Sequence, residues 1–145
     1  MSTKQVILIR TDLKDFKGNK VPCGKLMAQV AHASLTAITN LMYVETEELD
    51  NIDTQVVYRE LITNSNSPLN LWLTGSQTKI CLAVNSLEEL NKYFDLAQKA
   101  MLPCSYIIDN GLTVFNGIQT PTCIAIGPSW SADIDEITSK LRLYS

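Results

Sequence analysis

The apolar positions of this chain fall into short β-like runs, separated by stretches in which they recur every three or four residues. Residues 5–11 (QVILIRT) are dominated by aliphatic, largely β-branched side chains and read as a buried strand. Residues 12–24 break the rhythm with Gly18-Asn19 and Pro22, which marks a loop. From Lys25 to about Val44, Leu26, Val30, Ala33, Ala37 and Leu41 repeat at helical steps, and Met27, Ala31, Ile38 and Met42 widen that face. Lys25, Gln29, His32 and Thr36 form a polar stripe on the same helix.

Residues 45–66 carry the weakest signal. Residues 45–53 are acidic, and a weak helical pattern follows through Ile62. Ser67-Pro68 then pairs an N-cap with proline at the first helical position, Trp72 anchors the short helix, and Gly75 stops it. Residues 79–84 (KICLAV) read as a second strand. Ser86-Leu87-Glu88-Glu89 is a capping box, and its helix carries Leu87, Leu90, Phe94, Ala97 and Met101 before Pro103 ends it. Ser105–Ile108 reads as a third strand, Asn110-Gly111 as a tight turn, and residues 121–126 (PTCIAI) as a fourth strand closed by Gly127-Pro128. A last helix places Ile134, Ile137 and Leu141 on one face, with Asp133–Glu136 near its positive end. The alternation predicts one α/β domain over residues 1–145. It is a three-layer α/β/α arrangement around a mainly parallel, four-stranded mixed sheet whose last strand is antiparallel.

Composition narrows the function classes. Apolar residues make up 46% and charged residues 19% of the 145, a balance that supports a real core rather than disorder. No apolar run has the length of a membrane span, and Val6–Ile9 is too short for a signal-peptide core. Cys23, Cys81, Cys104 and Cys123 form no C-x-x-C pair and the chain has a single histidine, so zinc sites built from such pairs are excluded. The expected compartment is a reducing cytoplasm. Net charge is −3, which argues against nucleic-acid binding by overall charge. Yet residues 1–25 carry +4, through Lys4, Arg10, Lys14, Lys17, Lys20 and Lys25 against Asp12 and Asp15, which leaves −7 on the remainder. A local basic loop of this kind attracts phosphate, or is simply a solvated surface.

Three constellations could carry chemistry. Strand, loop, Gly24-Lys25 and helix suggest a phosphate loop, but five residues separate Gly18 from Gly24, one too many, and Leu26 stands where the magnesium-binding hydroxyl belongs. Lys25 at a helix N-terminus opposes the helix dipole, so it is either a solvated lysine or part of an anion site. Asp109, Asn110, Gly111, Leu112 and Thr113 end a strand at the carboxyl edge of the sheet. A carboxylate and a hydroxyl there could orient water, or form an ordinary turn. His32 lies on the Lys25 stripe between alanines, where a packing or hydrogen-bonding role competes with a Cys–His hydrolase using Cys23 or Cys104.

Taken together, VILIRTDLK (6–14), GKLMAQVAHAS (24–34), DNGLT (109–113) and TPTCIAIGP (120–128) resemble the type II peptidyl-tRNA hydrolases of archaea and eukaryotes. SQTKICLAVNSLEEL (76–90) and EITSKLRLYS (136–145) are also similar to that family, whereas residues 45–66 have no clear counterpart. The resemblance implies hydrolysis of the ester between a peptide and tRNA, by a cytoplasmic homodimer that uses neither metal nor cofactor. It carries catalytic roles onto Lys25, Asp109 and Thr113, and places Gln29 and His32 along the site. Gly24 and the loop lysines Lys14, Lys17 and Lys20 would then meet the tRNA acceptor end. Neither a membrane nor DNA is expected as a partner. The chain departs from the family in a longer loop from Lys14 to Gly24, in Asn110 and in Leu112. Two other readings share these residues: a non-catalytic partner-binding domain of the same fold, and a hydrolase of another acyl ester.

Overall fold

A computed structural model describes residues 1–50 and 54–145. Its elements run β1 (Thr3–Arg10), α1 (Cys23–Thr39), β2 (Tyr43–Glu48), β3 (Gln55–Glu60), α2 (Pro68–Thr74), β4 (Lys79–Val84), α3 (Leu87–Lys99), β5 (Cys104–Asp109), β6 (Thr120–Trp130) and α4 (Ser131–Thr138). The main sheet has the order β4-β1-β6-β5. β1 pairs parallel with β4 and antiparallel with β6, and β6 pairs antiparallel with β5. The last strand is thus the antiparallel one. Because it sits between β1 and β5, it makes two of the three pairings antiparallel, and the sheet is less parallel than the alternation predicts. The cause is local: no helix lies between β5 and β6, so the chain can only reverse there.

The two sheet faces divide by strict alternation. Val6 and Leu8 of β1, Leu82 and Val84 of β4, and Ile124 and Ile126 of β6 pack against Leu90 and Tyr93 of α3 and Ile134 of α4. Ile7, Ile9, Cys123, Ala125 and Ile107 face Ala33 and Ala37 of α1. α2 joins this second side through Leu69 and Trp72, which pack on Ile38. The C-terminal segment lies along the outer edge of β4: the Ala83 amide donates to Arg142 O (2.9 Å) and the Tyr144 amide to Cys81 O (3.0 Å). That pairing covers an otherwise open strand edge.

Three sequence expectations are corrected. α1 stops at Thr39, short of Val44, and the weak helical pattern after it is a hairpin of β2 and β3. Tyr43, Val44, Thr46, Val56, Val57 and Tyr58 favour extended backbone, and their cross-strand pairing outweighs a helical spacing that has no core to face. Nearly every hairpin residue is exposed, and residues 51–53 of the acidic stretch lie outside the described residues. Second, β6 runs on through Gly127-Pro128 to Trp130. The register shifts between Lys4 and Val6 on β1, an irregularity that absorbs a proline without an N–H. Gly127 is required here, because φ is +95° and a Cβ would meet Lys4 O and Ile134 Cδ1, both at 2.8 Å. Third, Asn110-Gly111 opens a longer loop, residues 110–119, rather than a two-residue hairpin.

Candidate active site

Strand direction brings the carboxyl ends of β1, β4 and β5 and the start of β6 to one sheet edge. The loop after β1 leads to the N-terminus of α1 at that same edge. Pro22 precedes the helix, and its carbonyl accepts from the amides of Lys25 (3.1 Å) and Leu26 (3.3 Å). No side chain caps this terminus and no acidic residue lies in its first turn. Nothing lies within 4 Å of the position a Cβ would take on Gly24, so the backbone there is open to approach.

Asp109 closes β5 and is only 7% exposed. The chain then turns sharply at Gly111, whose φ is +81° and whose amide returns to Asp109 Oδ2 at 3.0 Å. A side chain at Gly111 would run into the backbone of Ile118, and the Gly117 amide donates to Gly111 O at 2.7 Å. This closed loop presents Thr113 to solvent.

Lys25 reaches across from α1. Its Nζ donates to Asp109 Oδ1 at 2.8 Å and to Thr113 Oγ1 at 3.2 Å. Gln29, one turn further along α1, donates from Nε2 to the same Oδ1 at 3.4 Å. The Thr122 hydroxyl, on β6, donates to Gln29 Oε1 at 2.7 Å, which turns the amide nitrogen toward Asp109. Thr122 is 1% exposed and Gln29 8%. The result is a chain of donors running from Thr122 through Gln29 to Asp109, with Lys25 bridging Asp109 and Thr113.

The chemistry of this array follows from which atoms are already engaged. Oδ1 of Asp109 has two donors and Oδ2 has one, so the carboxylate is an interior anchor for the ammonium. Among the described residues two of the three Lys25 protons are spent, which leaves the third for a ligand. Thr113 accepts from Lys25, so its own hydroxyl proton points elsewhere. The open end of the site therefore offers a cation, a hydroxyl and the first amides of a helix, a set that suits a developing oxyanion or a phosphate.

The other sequence candidates lie around this centre. His32 is exposed, about 10 Å along α1 from Lys25, and makes no side-chain hydrogen bond among the described residues. Lys14, Lys17 and Lys20 are exposed on a small hairpin in which Lys14 bridges Lys20. The Phe16 amide donates to Val114 O at 3.2 Å and thereby docks that hairpin beside Thr113. No Cys–His pair forms. Cys23 and His32 are nine residues apart on one helix, on opposite sides of it. Cys104 lies at the far end of β5 from the site. Burial pushes the Cys123 thiol up to about 12, with Thr122 partly offsetting it, so this thiol stays protonated at neutral pH. Thr122 is the residue that sequence reading misses: within PTCIAI it looks like any β-former, and only its position opposite α1 reveals its hydroxyl as a partner for Gln29. Among the described residues, no group of three or more His, Cys, Asp or Glu is placed to hold a metal ion. No helix there is long and apolar enough to cross a membrane.

The chain is similar over nearly its whole length to proteins of a known family. Residues 3–144 match the family described as Peptidyl-tRNA hydrolase PTH2. The peptidyl-tRNA hydrolase of Sulfurisphaera tokodaii is 35% identical over 143 residues, 99% of each chain. That of Methanopyrus kandleri is 36% identical over 140 residues, 97% of each chain, and that of Halobacterium salinarum is 37% identical over 141 residues, 97% of this chain and 99% of its own. On the family match and these full-length similarities, the chain belongs to the PTH2 family of peptidyl-tRNA hydrolases.

Proposed function

We propose that this chain hydrolyses the ester between tRNA and a peptide or N-blocked amino acid, with Lys25, Asp109 and Thr113 as its working residues. One observation carries the reading: the Lys25 ammonium is held at 2.8 Å from Asp109 and 3.2 Å from Thr113 at an exposed sheet edge. In the transition state the ester carbonyl oxygen gains negative charge. Lys25, with the amides near Gly24, faces that charge, and the Thr113 hydroxyl orients the attacking water or the substrate. Asp109 anchors and aims Lys25, and Gln29, fixed by Thr122, keeps Asp109 in place. An open edge rather than an enclosed pocket suits a macromolecular substrate. Lys14, Lys17 and Lys20 steer the acceptor end, and His32, further along the helix stripe, contacts the substrate beyond the reacting bond.

We further infer that the chain acts as a homodimer in the cytoplasm. Met27 and Leu35 on α1 are 67% and 63% exposed, and they border an apolar groove of about 770 Å³ between α1, Trp72 and Tyr144 that a second copy would cover. The test is release of free tRNA from N-acetyl-aminoacyl-tRNA by purified protein, with and without a chelator, beside Lys25→Ala and Asp109→Ala. The expected outcome is chelator-insensitive turnover by the wild type and strong loss in both variants. Absence of tRNA release, or variants equal to the wild type, would overturn the assignment. Cleavage of small acyl esters alone would redirect it to another substrate.

A further inference from the structure

The loop between β1 and α1 carries an aromatic side chain at an exposed position. Phe16 is 58% exposed at the tip of the 14–20 hairpin, although Leu13, Val21 and Phe115 beside it form a small buried cluster. Its backbone is firmly held. Asp15 Oδ1 accepts from the amides of Lys17 and Asn19, both at 2.8 Å, and the Phe16 amide is tied to Val114 O. The ring is therefore presented outward by a fixed turn whose backbone is bonded to the residue after Thr113. The Lys17 ammonium lies 5.6 Å from its centroid.

Behind the ring is a hollow of about 390 Å³, lined by Arg10, Lys14, Phe16, Phe115, Asn116 and Thr120 among others. Its charges are mostly internal. Arg10 is paired in two places with Asp12, at 2.9 Å each, and donates its remaining Nη1 to Pro121 O at 2.9 Å. One oxygen of Asp15, Oδ1, is turned to backbone amides. Around the hollow stand the rings of Phe16 and Phe115, the aliphatic Leu13 and Ile118, Asn116, Thr120, the engaged Arg10 guanidinium, Lys14, and the Asp12 and Asp15 carboxylates. That set suits a flat heterocycle better than a phosphate, while Lys14, Lys17 and Lys20 around the rim suit phosphates. A base on a π-face with its backbone on nearby cations is how single-stranded nucleic acids are held.

We propose that Phe16 and this hollow seat the 3′-terminal nucleobase of the tRNA, placing the ester carried by that nucleotide at Lys25 and Thr113. The inference rests on the reading of the substrate as a tRNA ester. Phe16 is then a specificity residue, and the long loop is the device that presents it.

The experiment compares wild type, Phe16→Ala and Phe16→Trp on N-acetyl-aminoacyl-tRNA and on an N-acetyl-aminoacyl methyl ester, which has no nucleotide. Thermal melts confirm folding. Loss of one stacked base is expected to raise KM for the tRNA ester about tenfold in Phe16→Ala, with the effect in KM rather than kcat. Phe16→Trp restores KM, and the penalty is confined to the substrate that carries the nucleotide. An unchanged KM in Phe16→Ala, or an equal loss on the methyl ester, overturns the inference and leaves the hydrolase assignment standing. Should the wild type cleave no tRNA ester, that assignment falls by itself. The inference is then decided by adding cytidylyl-cytidylyl-adenosine to the Phe16→Trp variant. A saturable fluorescence change absent from the wild type, whose tryptophans are Trp72 and Trp130, supports the seat, and a flat response removes it.

Discussion

The two faces of the sheet are built from different materials. The face toward α3 and α4 is filled with branched aliphatic side chains, Leu8, Leu82, Val84, Leu90, Ile124, Ile126 and Ile134. The face toward α1 is lined with Ala33, Ala37, Cys123 and Ala125 around Ile7, Ile9 and Ile107. Small residues let α1 lie close, and sheet side chains then reach its backbone. Ser105 Oγ donates to Ala33 O at 2.7 Å, Cys123 Sγ to Gln29 O at 3.4 Å, and Gln5 Nε2 to Ser34 O at 3.3 Å. Apolar burial is non-directional, whereas hydrogen bonds fix a helix along its own axis. The first face holds the larger share of the bulky buried apolar side chains. The second fixes where Lys25 and Gln29 arrive at the sheet edge.

The sharpest way to break this division is at its working end. Lys25→Ala removes the cation and one partner of the Asp109 ion pair. Turnover of N-acetyl-aminoacyl-tRNA is expected to fall roughly 10²- to 10³-fold, the usual scale for loss of one electrostatic stabiliser. The melting temperature should also fall, because Asp109, 7% exposed, is left as a buried carboxylate without its cation. Activity within threefold of wild type would mean that α1 is positioned for something other than this chemistry.

Leu90→Ala tests the opposite face. Leu90 is fully buried in the α3 and α4 core, so its truncation is expected to cost about 2–5 kcal/mol in denaturant unfolding. Turnover per folded molecule should stay at the wild-type level. A fall in kcat at temperatures where the variant is folded would show that the aliphatic core also sets site geometry, and the two faces would then share one role.

How much of this was legible in the sequence depends on how local each signal is. The caps were readable because their chemistry is contained within four residues. Ser67 accepts from the Asn70 amide and Ser86 from the Glu89 amide, each at 3.1 Å. Even there a detail differs, since Glu89 reaches back to the amide of Asn85 rather than to that of Ser86. β1, β4 and both ends of the site motifs were readable from runs and turn residues. The β2–β3 hairpin was not, because its partners are each other and no core face imposes a period on it. The extension of β6 past Gly127-Pro128 was hidden by a proline that only a register shift on β1 accommodates. The polar stripe of α1 was visible as a stripe, but not that Gln29 would be buried on it. That outcome needs Asp109 and Thr122, 80 and 93 residues away in sequence.

Thr122 is where the comparison can be refined with the smallest change. It belongs to the sheet, is 1% exposed, and touches the site only through Gln29. Thr122→Val keeps shape and burial while removing the hydroxyl that orients the Gln29 amide. Gln29 Oε1 would be left without its donor in a buried place, at a cost of about 1–3 kcal/mol, and the amide would be free to flip. A flipped amide would aim oxygen at oxygen across the 3.4 Å gap to Asp109 Oδ1. The expected result is a fall in kcat of roughly tenfold with KM unchanged, since the geometry disturbed is that of the charged pair rather than the substrate surface. Thr122→Ser, which keeps the hydroxyl and loses a methyl, should restore kcat even if it melts earlier. Equal loss in both variants would assign Thr122 to packing, and the face beneath α1 would then hold the helix without directing it.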